Sequence, residues 1–171
     1  MKKLTLLVMM LFATSIMTSQ NVTVGEFLKL SKMSLGEIQE VLTEKNWHFY
    51  QGVDETKEVF GNVKFVFDRP GFKVGDAAKY FIIYYYSEDE NANAIEMSFR
   101  TKQIFDSFTE QLDNLDFKLF SSKTDSGNII KVYKHNGMIA EITIPPNFDG
   151  MSSYKFMFAT KKDYKKIRSS N

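Results

Sequence analysis

The 171-residue chain contains no cysteine, only three prolines, two histidines and one tryptophan. Without cysteine there is no disulfide framework, no thiolate nucleophile, no Cys-ligated metal and no thiol to carry a lipid after export. The two histidines, His48 and His135, do not stand at any metal-ligand spacing. The Gly-x-Ser-x-Gly elbow, the phosphate loop and the dinucleotide fingerprint are all missing, so no cofactor is implied. Neither sign of charge dominates. Lys and Arg number 22 against 21 Asp and Glu, a formal charge of +1, and a chain so balanced has no global attraction to nucleic acid.

One hydrophobic run stands out, and it is short. Lys2 and Lys3 precede an apolar stretch over residues 4–13, and small and polar residues follow. This is the layout of a secretory signal peptide (residues 1–19), with cleavage expected after Ser15 or Ser19, and the run is too brief for a permanent membrane span. The expected location is therefore the periplasm or the cell exterior. The remaining chain, about 150 residues, is the size of one ordinary domain with its own core. Its end, residues 161–171, is rich in lysine and is expected to be a mobile basic tail, with contact to anionic lipid head groups or an acidic partner as the alternative.

Two stretches match when one is shifted by 70 positions. Residues 35–51 read LGEIQEVLTEKNWHFYQ and residues 105–121 read FDSFTEQLDNLDFKLFS. Leu35 falls on Phe105, Ile38 on Phe108, Leu42 on Leu112, Trp47 on Phe117, Phe49 on Leu119 and Tyr50 on Phe120. Only Val41/Gln111 and Lys45/Leu115 differ in apolar or polar class. Each copy carries an i, i+3, i+7 apolar stripe, so each predicts an amphipathic helix; Asn46 or Asp116 then ends it and an alternating strand begins. Further strands are predicted at 58–67, 79–87 and 94–100 after the first helix, and at 128–134, 138–144 and 154–160 after the second. Asn136-Gly137 is a strong hairpin signal, since both residues accept positive φ. A short helix over 24–30 precedes the first copy, and Ser34 with Glu37 predicts a capping box for the helix that follows.

The expected fold is α+β: two successive α-ββββ units, residues 20–100 and 101–160, with antiparallel sheets and helices on one face. FLKLSKMSLGEIQEVL followed by four strands, with the unit then repeated, resembles the tandem layout of the β-lactamase inhibitor protein fold and of small exported bacterial proteins. The resemblance spans the chain after the leader and lies in element order; that family's cysteines are absent here. It implies a sheet with one face left open to bind a partner protein.

The stretch KYFIIYYYSEDE, residues 79–90, bears on that open face. A strand facing water on one side alternates apolar and polar residues, and this one does not. Phe81, Ile83 and Tyr85 are assigned to the helix side with Trp47, Phe49 and Phe65. Tyr80, Ile82, Tyr84 and Tyr86 then share the open side with His48, Tyr50 and Val66; a slip of one residue would exchange the two sets. Tyrosine suits a surface that is wet alone and buried when bound. The candidate partner-binding residues are thus Tyr50, Tyr84, Tyr86, Ile82 and His48, and the expected partner is another protein. A small-molecule or lipid binder with aromatic residues lining a pocket between the half-sheets is the second reading. A hydrolase using Glu96 and Glu141, both on strands, is the third. Glu88, Asp89 and Glu90 lack the spacing of a calcium loop and are expected to be a solvated turn.

Overall fold

The computed structural model describes residues 22–67, 80–87, 94–146 and 153–169. The leader and the acidic turn of Glu88, Asp89 and Glu90 lie outside the described residues. The elements, in chain order, are α1 (Val24–Leu30), α2 (Leu35–Glu44), β1 (Trp47–Val53), β2 (Gly61–Phe67), β3 (Phe81–Tyr86), β4 (Ala94–Phe99), α3 (Lys102–Asn114), β5 (Lys118–Asp125), β6 (Asn128–His135), β7 (Met138–Ile144), β8 (Tyr154–Thr160) and α4 (Lys161–Ser169). The strands form one antiparallel sheet in the order β1-β2-β3-β4-β8-β7-β6-β5, so the fold is α+β. Ala94 pairs with Ala159, and the ladder continues to Phe99 and Tyr154. This β4–β8 ladder joins the first four strands to the last four without a gap, leaving β1 and β5 as the outer strands.

Local chemistry sets the helix boundaries. Thr23 with Glu26, and Ser34 with Glu37, form reciprocal capping boxes at α1 and α2, each cap contributing about 1 kcal/mol. The exits of α2 and α3 are built alike. Asn46 and Asp116 both adopt φ of 63°, the left-handed conformation that Asn and Asp tolerate better than most residues. Each turns the chain so that the next side chain, Trp47 or Phe117, enters the core at 0% and 2% exposure. Each following strand then bulges. Tyr50 is the extra residue between the pairs Phe49–Phe65 and Gln51–Lys64, and Phe120 is the extra residue between Leu119–Tyr133 and Ser121–Val132.

The main core lies between the sheet and the first three helices. Phe65, Ile82, Met97, Phe156 and Ile142 stand in register across β2, β3, β4, β8 and β7. Phe27 of α1 reaches both Phe158 and Phe108 of α3, with ring centroids 6.0 Å away in each case. Two polar contacts fasten α1 at its flanks: Val24 N–H donates to Gln111 Oε1 at 2.9 Å, and Lys45 Nζ pairs with Glu26 at 2.7 Å.

Two expectations need correction. Residues 161–169, expected as a mobile tail, are helical. Thr160 and Asp163 cap the helix, with Thr160 Oγ1 donating to Asp163 Oδ2 at 2.6 Å and accepting from Asp163 N–H at 3.2 Å. Tyr164 and Ile167, three apart inside the lysine run, give α4 an apolar stripe. Ile167 packs with Ala94, Met157 and Ala159, and Tyr164 packs on Ile130, Val132 and Ile139. Because Met157 and Ala159 alternate with Phe156 and Phe158, α4 sits on the opposite face from the main core. Helices therefore occupy both faces rather than one. The face assignment along β3 is also exchanged. Ile82 pairs with Phe65 and Tyr84 with Val63, so Tyr80, Ile82, Tyr84 and Tyr86 lie on the main-core side, and Phe81, Ile83 and Tyr85 look the other way.

Candidate functional site

The five candidate residues do not share one surface. Ile82 is 0% exposed and Tyr84 is 4% exposed. The Tyr84 hydroxyl donates to Met33 O at 2.6 Å, tying β3 to the α1–α2 turn, and burial raises its pKa with a smaller push from Glu37. Tyr86 lies against Gly61, where an added Cβ would meet the ring at 2.4 Å, so any other residue there would displace the ring from its place. These three side chains build the fold. His48 and Tyr50 occupy the second face, half-buried. The Tyr50 ring lies 6.3 Å from that of Phe81, over which Lys64 Nζ stands at 5.6 Å. Tyr50, two residues on from His48, shares this face by strand alternation, so these two stand where the sequence puts them, and Tyr84, Tyr86 and Ile82 do not.

The second face also gathers the two strand glutamates. Glu96 and Glu141 both pair with Met157, from either side, which sets their Cα atoms about 10 Å apart at the usual strand spacing. They are 7% and 4% exposed, not solvated as their alternation with apolar residues suggests. Their surroundings differ. Glu141 accepts from Tyr164 Oη at 2.5 Å and from the Arg168 guanidinium, both on α4. Glu96 has Lys155 Nζ at 3.9 Å. Burial pushes the Glu96 carboxyl above the ordinary glutamate range; the pull of Lys155, Arg168 and Lys64 does not offset it, and Glu141 adds to the rise. Burial, then the bond to Glu141, pushes the Tyr164 phenol up to about 12. Tyr85 is shifted in the same direction by burial and by Glu96. Two buried carboxyls on one face, one of them raised by burial, are the raw material of acid–base chemistry, but both lie against side chains of α4 and the sheet. Tyr164 and Arg168 are missed when α4 is taken for a tail; the spacing of Tyr164 and Ile167 was the signal. Among the described residues no group of His, Asp and Glu stands together to hold a metal, and no helix is long and apolar enough to cross a membrane.

The exposed apolar side chains are concentrated on the outer strands. On β1, Phe49 is 63% and Val53 46% exposed; on β5, Leu119 is 56% and Phe120 64% exposed. Charge is segregated as well. The first three helices carry Glu26, Glu37, Glu40, Glu44, Asp106, Glu110 and Asp113 against Lys29 and Lys102, whereas α4, on the other face, carries Lys161, Lys162, Lys165, Lys166 and Arg168 against Asp163. A pocket of about 190 Å³ opens between α1 and α2, lined by Val22, Leu30, Met33 and Val41 and the Glu26–Lys45 pair. Compared with known protein families, with curated proteins and with solved structures, the chain finds no match.

Proposed function

We propose that the protein is an exported, non-catalytic interaction module built from two helix-plus-four-strand units, and that it binds a partner protein at the β1 end of its sheet. The exported location rests on the leader-like residues 1–19. The two-unit reading is supported by the matched corners at Asn46 and Asp116 and the matched bulges at Tyr50 and Phe120, each pair 70 positions apart. One observation carries the binding reading. Of the consecutive rings Trp47, His48, Phe49 and Tyr50, the core takes only Trp47, and Phe49 projects from an outer strand at 63% exposure. Aromatic side chains at such sites are the usual anchors of protein interfaces. The bulge at Tyr50 interrupts the backbone ladder, which disfavours addition of a further strand, so side chains rather than main chain make the contact.

The test places a photo-crosslinking residue at position 49 and, as a control, at Glu110 on α3. Envelope extract is probed with wild type and with Phe49→Ala/Tyr50→Ala. A protein cross-linked from position 49, not from position 110, and lost from the folded double variant supports the reading. Equal labelling from both positions sinks it.

A second reading, a carboxylate-dependent envelope hydrolase, draws on the placement of Glu96 and Glu141 on one face. It requires glycosidase activity with a pH–rate profile that Glu96→Gln and Glu141→Gln each abolish. Activity that survives both substitutions removes it.

A further inference from the structure

The end of the sheet opposite β1 has a different character. The second face of β5 and β6 carries Lys118, Phe120 and Lys134. Lys118 and Lys134 are direct cross-strand partners, a like-charge placement that destabilises a sheet. The Lys134 ammonium stands over the Phe120 ring. Its pKa is lowered, first by burial and then by Lys161 at the start of α4, so a third cation crowds the same corner. Lys165 continues the exposed stripe one helical turn further on. The acidic groups near this corner are few. Asp116 pairs with Lys118 at 2.6 Å, with both side chains more than two-thirds exposed, Asp113 at the end of α3 also acts on Lys118, and Asp163 is turned inward at 2% exposure, which leaves Lys134, Lys161 and Lys165 as the uncompensated charge among the described residues. The outcome is a cationic surface with one exposed aromatic ring at its centre, on a molecule whose other helical layer is acidic.

From this placement we infer that the second face of β5 and β6, together with α4, docks on an anionic phospholipid membrane. Lysines clustered beside an exposed phenylalanine match the two parts of a bilayer interface. The ammonium groups meet the headgroup phosphates and the ring enters the boundary of the acyl chains. The geometry favours lipid over nucleic acid because a single exposed ring offers no run of platforms on which successive bases could stack. The acidic layer of α1–α3 orients the molecule, since it is repelled by the surface that attracts α4. This surface is independent of the β1 surface proposed above and stands or falls separately.

Vesicle co-sedimentation tests it, with vesicles of mixed phosphatidylglycerol and phosphatidylcholine against phosphatidylcholine alone, at low and high salt. The protein is expected to partition onto the anionic vesicles only, and less so at high salt. Lys134→Gln and Lys161→Gln should each weaken partition about fivefold, and Phe120→Ser roughly tenfold. Phe49→Ser, at the other end of the sheet, should leave partition unchanged. Failure to sediment with anionic vesicles at low salt overturns the inference. So does tight binding to soluble polyphosphate or polyglutamate that Phe120→Ser does not weaken, since the surface would then serve a soluble polyanion or acidic protein. The lysine substitutions alter no core contact, so a folding defect in Phe120→Ser does not leave the question open.

Discussion

The corners at which α2 passes into β1 and α3 into β5 are the most informative comparison within this molecule. They share a buried leucine, Leu42 or Leu112, then a left-handed Asn or Asp, a buried aromatic, and a bulge three residues after that aromatic. Within their matched stretch they differ in apolar or polar class at only two positions, and helix α1 accounts for both. Where the first corner has Val41, the second has Gln111, whose side-chain oxygen accepts the Val24 N–H at the start of α1. Where the second has Leu115, the first has Lys45, which pairs with Glu26 of α1. A helix lodged between the two corners thus needs a different contact from each. The difference shows how two similar pieces of chain become specialised once a third element has to be held.

The comparison can be broken most severely at the buried aromatics. Trp47→Ala and Phe117→Ala should each cost about 3–5 kcal/mol in urea unfolding. A cost below about 1 kcal/mol at either position would mean that the two corners are not equivalent in the core. Next is the second face, where the halves do differ. Arg168→Ala leaves the buried Glu141 without its cation and with only the Tyr164 hydroxyl as a partner. The loss should reach about 2–3 kcal/mol, the lower end for broken buried pairs because the guanidinium side chain is 37% exposed. Glu96 gives the pH dependence. Its folded-state carboxyl lies above the ordinary value of 4.5, so the folded protein holds that proton more tightly than the unfolded chain does. The stability it confers is full below the unfolded value and is lost as pH rises through the folded value. Glu96→Gln should therefore gain on wild type as pH is raised from 4 towards neutrality, as measured by urea midpoints; a variant that instead loses ground on wild type over that range would show the folded carboxyl to be lowered, not raised.

Smaller effects sharpen the likeness. Asn46→Ala and Asp116→Ala should each cost about 1 kcal/mol, while glycine at either position should cost nothing measurable, because only glycine adopts a left-handed φ without strain. Matching thermal shifts for the two pairs are the expected outcome. The smallest effects belong to the contacts that make the corners different. Gln111→Leu should cost about 1 kcal/mol by removing the acceptor for the Val24 N–H. Lys45→Leu, which breaks a partly exposed ion pair, should cost no more than about 0.5 kcal/mol. Reversal of that order would assign the hold on α1 to charge rather than to hydrogen bonding.

Much of this architecture is legible in the residues. The 3.6-residue stripes of Ile38 and Leu42, and of Phe108 and Leu112, place α2 and α3. The Ser34–Glu37 box and the Asn136-Gly137 hairpin stand where their chemistry requires, with φ of 43° and 80° at the turn. Alternation places β4 and β7, although Glu96 and Glu141, the polar positions within it, are themselves buried. The candidate site was less legible. Tyr84 and Tyr86 look like an exposed surface because tyrosine carries a hydroxyl. In the fold, the Tyr84 hydroxyl satisfies the Met33 carbonyl and the Tyr86 ring fills the space over Gly61.

Short-range physics is what the residues alone could specify: the Ser34–Glu37 cap, the Asn136-Gly137 turn, the hydrophobic period of α2 and α3 and, from composition, the absence of thiol chemistry. These depend on interactions within a few residues, so local order is enough to specify them. Long-range packing settled which face of β3 is covered, because a period of two is blind to which neighbour lies above and which below. It also decided that a run of lysines is a helix, because α4 forms where Tyr164 and Ile167 find a sheet face formed by residues as distant in the chain as Ala94 and Ile130. A nine-residue helix is marginal alone in water and becomes stable when it buries an apolar stripe. No local pattern reports whether a distant surface will be there to receive it.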